Sequence, residues 1–132
     1  MIENIKAGDK VSITKSFSED DVMQFAKLSS DDNPIHVDAE YAKSSVFRQR
    51  IVHGMLVASL FSAILGTKLP GIGAVYLGQS LSFKKPIFLD EEVTAVVEVM
   101  HIREDKPIIT LKTECFNSNG EIAIEGEAIV KV

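Results

Sequence analysis

The chain has 132 residues, which fits one domain with a modest core, and we expect residues 1–132 to form a single domain. Apolar residues make up 45% and charged residues 25% of the sequence, values that are ordinary for a globular protein and that argue against disorder. The net charge is −5 and no run of basic residues exceeds two, so nucleic-acid binding is excluded.

Cysteine content and hydropathy indicate the cellular compartment of the protein. Cys115 is the single cysteine, so no intramolecular disulfide can form, which suits a reducing compartment. The N-terminal residues lack the basic and apolar regions of a signal peptide. The longest uncharged apolar stretch, residues 54–67, is shorter than the ~20 residues that span a bilayer. We expect a cytoplasmic protein that makes no membrane contact.

In chain order, the first half of the sequence reads as one strand followed by helices. Alternation over residues 10–17 predicts a strand, and Ser18 followed by three acidic residues predicts a capped helix start. Residues 31–37 are predicted as a loop, and Asp38 as the cap of a short helix that extends to residue 47. Residues 54–68 form a helix that is apolar on nearly all sides, which is typical of a buried helix.

The second half changes to a period of two. Residues 74–83, 92–103, 108–116 and 121–132 read as four strands, and Asn117–Gly120 is a strong hairpin signal. Short turns between consecutive strands imply an antiparallel sheet, which must cover the buried helix. We therefore predict an α+β fold, a curved antiparallel sheet wrapped around one long central helix. Open sheet edges are usually covered, so we also predict a dimer.

The segment from Asp31 to Asp38 concentrates groups that carry chemistry. Asp31 and His36 are five residues apart, so they converge only if the chain turns between them, and Asn33-Pro34 supplies turn residues. A carboxylate and an imidazole held together could bind one water and exchange protons with it. The spacing alone leaves two alternatives open: a turn cap beside a surface histidine, or a metal site that also uses Asp32 and Asp38.

The start of the long helix forms a second constellation. The first N–H groups of a helix have no internal partner, and at Gly54 no Cβ hinders an approaching carbonyl, so the Gly54 N–H could serve as an oxyanion donor. His53 is interpreted as a core histidine. Ser62, two turns beyond Gly54, could hydrogen-bond the carboxylate or instead bond to its own helix.

Together these motifs resemble a known family. Asp31-x-Asn-Pro-x-His36-x-Asp38, followed by Ile51-Val-His-Gly54-Met, is similar to the double signature of MaoC-like (R)-specific enoyl-CoA hydratases. The similarity covers nearly the whole chain. It is closest to the short, single-domain bacterial hydratases that feed polyhydroxyalkanoate synthesis.

The resemblance implies the hotdog fold, a homodimer, and reversible syn hydration of trans-2-enoyl-CoA to (R)-3-hydroxyacyl-CoA without a cofactor or metal. Asp31 and His36 would then be catalytic, Gly54 would form the oxyanion hole, and Ser62 would support the catalytic carboxylate. Leu65 and Val130 would close an acyl pocket suited to short chains. The alternatives are a hotdog acyl-CoA thioesterase, a dehydratase acting on acyl carrier protein, and a non-catalytic acyl-CoA-binding module.

Overall fold

The computed structural model describes residues 4–132, so the first three residues of the predicted domain lie outside the described residues. Residues 4–132 contain four helices: α1 (Glu19–Ser29), α2 (Pro34–Val37), α3 (Ala39–Lys43) and α4 (Gly54–Thr67). The strands are β1 (Lys10–Lys15), β2 (Val75–Gln79), β3 (Ser82–Phe83), β4 (Val93–Ile102), β5 (Ile108–Phe116) and β6 (Ile122–Lys131).

All six strands form one antiparallel sheet in the order β1-β4-β5-β6-β2, with β3 also paired to β6. The helix α4 contacts β1, β2, β4, β5 and β6, so it lies across the sheet. The core is made by the buried faces of these elements, and its largest fully buried side chains include Phe61, Ile64, Ile109, Leu111 and Ile124. The predicted antiparallel sheet on one long helix is therefore confirmed.

Local sequence explains the helix starts. Ser18 and Asp21 form a reciprocal capping box at α1, with Asp21 N–H donating to Ser18 Oγ and Ser18 N–H to Asp21 Oδ2. The Asp38 carboxylate accepts from the N–H groups of Glu40 and Tyr41 at the start of α3, as predicted, although α3 ends at Lys43 rather than at residue 47.

Two further segments differ from the predictions. Residues 34–37 form the short helix α2 rather than a loop, because Pro34 suits the first helical position and the Asn33 side chain caps the turn. The strand predicted over residues 74–83 is split into β2 and β3. Between residues 4 and 132, no helix has the length and apolarity that crossing a membrane requires.

Candidate active site

Asp31 and His36 are brought together by the turn between them. Asp31 Oδ1 accepts the Asn33 N–H (3.4 Å), and Asn33 Oδ1 accepts the Ile35 N–H (3.2 Å). These contacts, with Pro34 fixed at the first position of α2, reverse the chain within five residues. One potential ligand atom each of Asp31, His36 and a third residue, His53, lie within 4.8 Å of one another. The convergence that the chemistry requires is present.

The hydrogen bonds of His36 define which of its nitrogens is available. His36 is 8% exposed, and its Nδ1 lies 2.8 Å from the Ile51 carbonyl oxygen. Since a carbonyl only accepts, Nδ1 carries the proton. In the neutral form of an imidazole protonated at Nδ1, Nε2 is an acceptor. The exposed Asp31 carboxylate is likewise an acceptor, so the pair can hold a water that donates to both.

Gly54 is the first residue of α4, and this end of the helix has no side-chain cap. Its N–H therefore has no acceptor within the helix and lies at the positive end of the helix dipole. The ring of Phe83 packs against the Gly54 backbone so closely that a Cβ built there would lie 2.6 Å from Phe83 Cε1. A cavity of about 290 Å³ adjoins Gly54, with Phe47, Ile51, Phe83, Lys84, Lys85 and Pro86 among its lining residues.

Ser62 lies elsewhere on α4. It is exposed and lines two cavities between α4 and β2. Among the side-chain hydrogen bonds of residues 4–132, none joins Ser62 Oγ to Asp31, so one chain alone does not show the predicted support. From Gly54 to Ser62 the helix rises about 12 Å.

Leu65 and Val130 line the same cavity of about 140 Å³, together with Ser62, Gly66, Ala74 and Tyr76. Leu65 is 2% exposed and Val130 is fully buried. The two residues predicted to close an acyl pocket therefore lie at one cavity, and either could limit its depth. Leu65 lies about 16 Å along α4 from Gly54.

His53 is the functional candidate that the sequence did not reveal. It is buried, as expected of a core histidine, yet its Nε2–H donates to the Asp31 carbonyl oxygen (2.9 Å) and its ring stacks on His36. In the sequence, only its position next to Gly54 pointed to a role for His53. That position did not predict its contacts with Asp31 and His36.

Of the metal ligands weighed from the sequence, Asp38 is occupied as the cap of α3. Asp31, His36 and His53 remain close enough to be considered. The two rings stack with an angle of 27° between their planes, so their in-plane lone pairs run nearly side by side rather than converging on one ion. This donor set suits proton transfer better than metal binding, and a site without metal stays a prediction.

The thiol of Cys115, the single cysteine, is unreactive. Cys115 is fully buried, and burial raises the pKa of its thiol to about 12. Since the thiolate is the reactive form, Cys115 has no role in covalent catalysis.

Comparisons with known proteins agree with this geometry. The family described as "MaoC like domain" matches residues 3–115. The chain is 52% identical to an (R)-specific enoyl-CoA hydratase from Aeromonas caviae, over 98% of this chain and 97% of that protein. It is 40% identical to a mitochondrial 3-hydroxyacyl-[acyl-carrier-protein] dehydratase from Arabidopsis thaliana, over 94% of this chain and 75% of that protein.

The fold of this chain is similar to that of a solved structure over nearly the whole length of both chains. The (R)-hydratase of A. caviae involved in PHA biosynthesis superposes with a TM-score of 0.97 at 52% identity and covers 98% of both chains. This similarity confirms the predicted hotdog fold. The family match, the identity and the shared fold lead to one conclusion: the chain belongs to the MaoC-like domain family.

Proposed function

We propose that this protein is an (R)-specific enoyl-CoA hydratase that reversibly adds water to short-chain trans-2-enoyl-CoA to form (R)-3-hydroxyacyl-CoA. The observation that carries the proposal is the convergence of Asp31 and His36 close to the uncapped start of α4. Its support is the 52% identity to a hydratase of that name over nearly the whole chain.

The proposed reaction gives each of these groups one step. A water held by the Asp31 carboxylate and His36 Nε2 directs its oxygen at C3, and the new C3–O bond pushes electrons through C2 to the thioester oxygen. The Gly54 N–H stabilises the negative charge on that oxygen. The proton lost by the water passes through the acid–base pair to C2. Because one water on one face supplies both groups, addition is syn.

The proposal needs no cofactor beyond the coenzyme A of the substrate, and no metal. Dialysis against EDTA is expected to leave hydration unchanged. We place the enzyme in the cytoplasm, in agreement with its single buried cysteine.

The decisive assay follows the loss of the enoyl absorbance of crotonyl-CoA, with chiral analysis of the product and a parallel assay for free thiol. Hydration predicts 3-hydroxybutyryl-CoA of the R configuration and no thiol release. Release of free coenzyme A would favour the thioesterase alternative, and binding without turnover would favour a non-catalytic module.

A second candidate function is dehydration on acyl carrier protein, because a relative of that name is 40% identical to this chain. The chemistry at C2 and C3 is the same, so only the carrier differs. The two candidates are separated by comparing kcat/KM for crotonyl-CoA and crotonyl-acyl carrier protein. We expect the coenzyme A substrate to be preferred.

The acyl pocket is proposed to end at Leu65 and Val130, which would favour chains of about four to six carbons. Leu65→Ala and Val130→Gly each deepen the cavity that both residues line. We expect each variant to raise kcat/KM for octenoyl-CoA relative to crotonyl-CoA. An unchanged ratio in both variants would show that the acyl chain lies elsewhere.

We also propose a homodimer. In one chain, the α4 surface formed by Met55, Ser59, Ser62 and Ala63 is exposed, although the helix is predicted to be buried all round. Beside it, the edge strand β2 exposes Val75, Tyr76 and Leu77. A second copy would cover this surface, and could place its Ser62 and acyl cavity at the Asp31 pair of the first.

A further inference from the structure

His53 occupies the N-cap position of α4 but does not cap the helix. Side chains at this position usually accept a hydrogen bond from the second or third helical N–H, and Ser, Thr, Asp and Asn are preferred there. His53 instead turns inward, is 1% exposed, and its Nε2–H donates to the carbonyl oxygen of Asp31 at 2.9 Å. The start of α4 remains uncapped, and the loop that carries Asp31 is fixed to it.

Two aromatic rings enclose the His53 ring. The ring of His36 stacks on one face, with centroids 3.9 Å apart and 27° between planes. The ring of Phe25 meets it edge-on, at 4.8 Å and 64°. His53 thus contacts the backbone of one member of the acid–base pair and the ring of the other, and it directly precedes Gly54.

The remaining nitrogen supports one protonation state. Among residues 4–132, His53 Nδ1 is buried and has no hydrogen-bond partner. Burial lowers the pKa of His53, with the stacked His36 acting in the same direction and the Asp31 contacts opposing it. The ring is therefore neutral, with its proton on Nε2 where the Asp31 carbonyl accepts it. A neutral ring adds no charge next to His36.

We propose that His53 is a positioning residue that holds Asp31, His36 and the Gly54 N–H in one fixed arrangement. The inference rests on the proposed hydratase function and adds a residue to it. A serine or aspartate at position 53 would cap α4, but its shorter side chain would not place a donor where the imidazole Nε2 lies. The sequence thus forgoes a stabilising cap at the point where the free N–H groups and the fixed loop are needed.

Two substitutions separate the hydrogen bond from the ring. His53→Phe keeps an aromatic ring but removes the donor, and His53→Gln keeps a donor at the same distance from Cβ but removes the ring. For His53→Phe we expect kcat for crotonyl-CoA to fall about 10- to 100-fold, with KM changed by less than about twofold, because the reacting groups are misplaced while the binding surface is kept. His53→Gln should recover about tenfold of that loss.

His101→Gln is the matched control, since His101 is exposed on β4, and it should retain wild-type kcat. Thermal melting of each variant shows whether it is folded at the assay temperature. A folded His53→Phe variant with wild-type kcat would overturn the proposal. A kcat for His53→Gln no higher than that of His53→Phe would also overturn it, because the donor would then have no effect.

A measurement on the wild-type protein tests the proposal even if the variants do not fold. Long-range ¹H–¹⁵N correlation spectra at pH 7 distinguish the tautomers of the three histidines. We expect His53 to be protonated at Nε2 alone, and a proton on Nδ1 would contradict the placement. If the wild-type enzyme hydrates no enoyl thioester, the proposed function fails, whereas the tautomer still tests the arrangement around His53.

Discussion

Gly54 meets two requirements that a larger residue would not meet together. Its backbone N–H is free at the start of α4, and its Cα lies against the ring of Phe83. An added Cβ would lie 2.6 and 2.7 Å from two ring carbons of Phe83, closer than carbon atoms pack. Phe83 is 54% exposed, so its ring has room to swing outward.

We predict that Gly54→Ala lowers kcat/KM for crotonyl-CoA by about tenfold or more, because the methyl group hinders the carbonyl that must reach the N–H. The double variant Gly54→Ala/Phe83→Ala removes the clash with the ring. It should not regain activity, because the added methyl group still hinders the carbonyl. Recovery of activity in the double variant would show that displacement of Phe83, and not approach to the N–H, caused the loss.

How far the site could be predicted depends on the distance between its parts along the chain. Asp31 and His36 are joined by a local turn whose residues are visible in the sequence, and the structure brings them together. The role of His53 depends on residues 17 and 22 positions away, which no spacing rule connects. Within residues 4–132 of one chain, no hydrogen bond joins Ser62 Oγ to Asp31, so its proposed role rests on contacts with a second copy. Those contacts have no local signal.

At the scale of elements, the break between β2 and β3 coincides with a close backbone crossing. The chain at Ser80 crosses β6 at Gly126, where an added Cβ would lie 1.9 Å from the Ser80 carbonyl oxygen. Ser80 is held there because its N–H donates to the Glu127 carbonyl and its Oγ accepts the Glu127 N–H. The obstacle is backbone fixed by two hydrogen bonds, so it cannot rotate away.

Gly126→Ala should therefore lower the free energy of unfolding by about 3 kcal/mol or more, measured by urea denaturation. Gly66→Ala is the matched control, because its added Cβ has no heavy atom within 4 Å apart from its chain neighbours and the backbone of its own helix, and alanine favours the helix. It should raise stability by up to about 1 kcal/mol. A Gly126→Ala variant as stable as wild type would refute the close crossing.

Glu91 joins two loops at one end of the sheet. Its carboxylate accepts from the Phe88 N–H (2.9 Å) and from the Ser118 hydroxyl (2.6 Å) and N–H (3.1 Å) of the β5–β6 hairpin. Burial alone would raise the pKa of Glu91, but these hydrogen bonds outweigh it and hold the pKa below its usual value. The ionised form is therefore favoured by folding.

The sign of the pH effect follows from linkage. The stabilisation is complete above the unfolded pKa of Glu91 and is lost as the pH falls through its lower folded pKa. We predict that Glu91→Gln loses about 1 kcal/mol of stability at pH 7 and shows a shallower loss between neutral and acid pH. Glu92, the next residue, is exposed, and the variant Glu92→Gln is the control. Its unfolding in urea should match that of the wild type at neutral and at acid pH. An unchanged pH profile for Glu91→Gln would refute the role.

The elements themselves were largely predictable. β5 begins and ends at the predicted residues, β4, β6 and α4 differ by one residue at one end or both, and β1 ends two residues earlier than predicted. These elements have a regular hydrophobic period and local caps. The predictions fail at two kinds of place. The strand predicted over residues 74–83 is interrupted beside Gly126, a contact distant in sequence. The helix α2 has four residues, which is too short for a hydrophobic period to be visible.

At the scale of the molecule, the exposed stripe of α4 and the apolar edge of β2 predict a dimer with shared sites. Sedimentation at micromolar concentration should give a mass of two chains. Mixing tests whether a site is shared. Asp31→Asn is expected to be inactive but supplies an intact acyl cavity. Leu65→Trp is expected to fill that cavity and block turnover, but it supplies an intact acid–base pair. If each site combines both chains, refolding the two inactive variants together restores activity. A dimer whose mixture stays inactive would place each site within one chain.

The central claim is that Asp31 and His36 form the acid–base pair of a hydratase, and kcat for crotonyl-CoA tests it most directly. Asp31→Asn removes the charge but keeps an oxygen that can accept the Asn33 N–H, so the turn is retained. Asp32→Asn, the exposed neighbour, is the control. We predict that Asp31→Asn and His36→Ala lose ~10²–10⁴-fold in kcat while Asp32→Asn stays near wild type. Near-wild-type turnover by Asp31→Asn or His36→Ala would contradict the assignment.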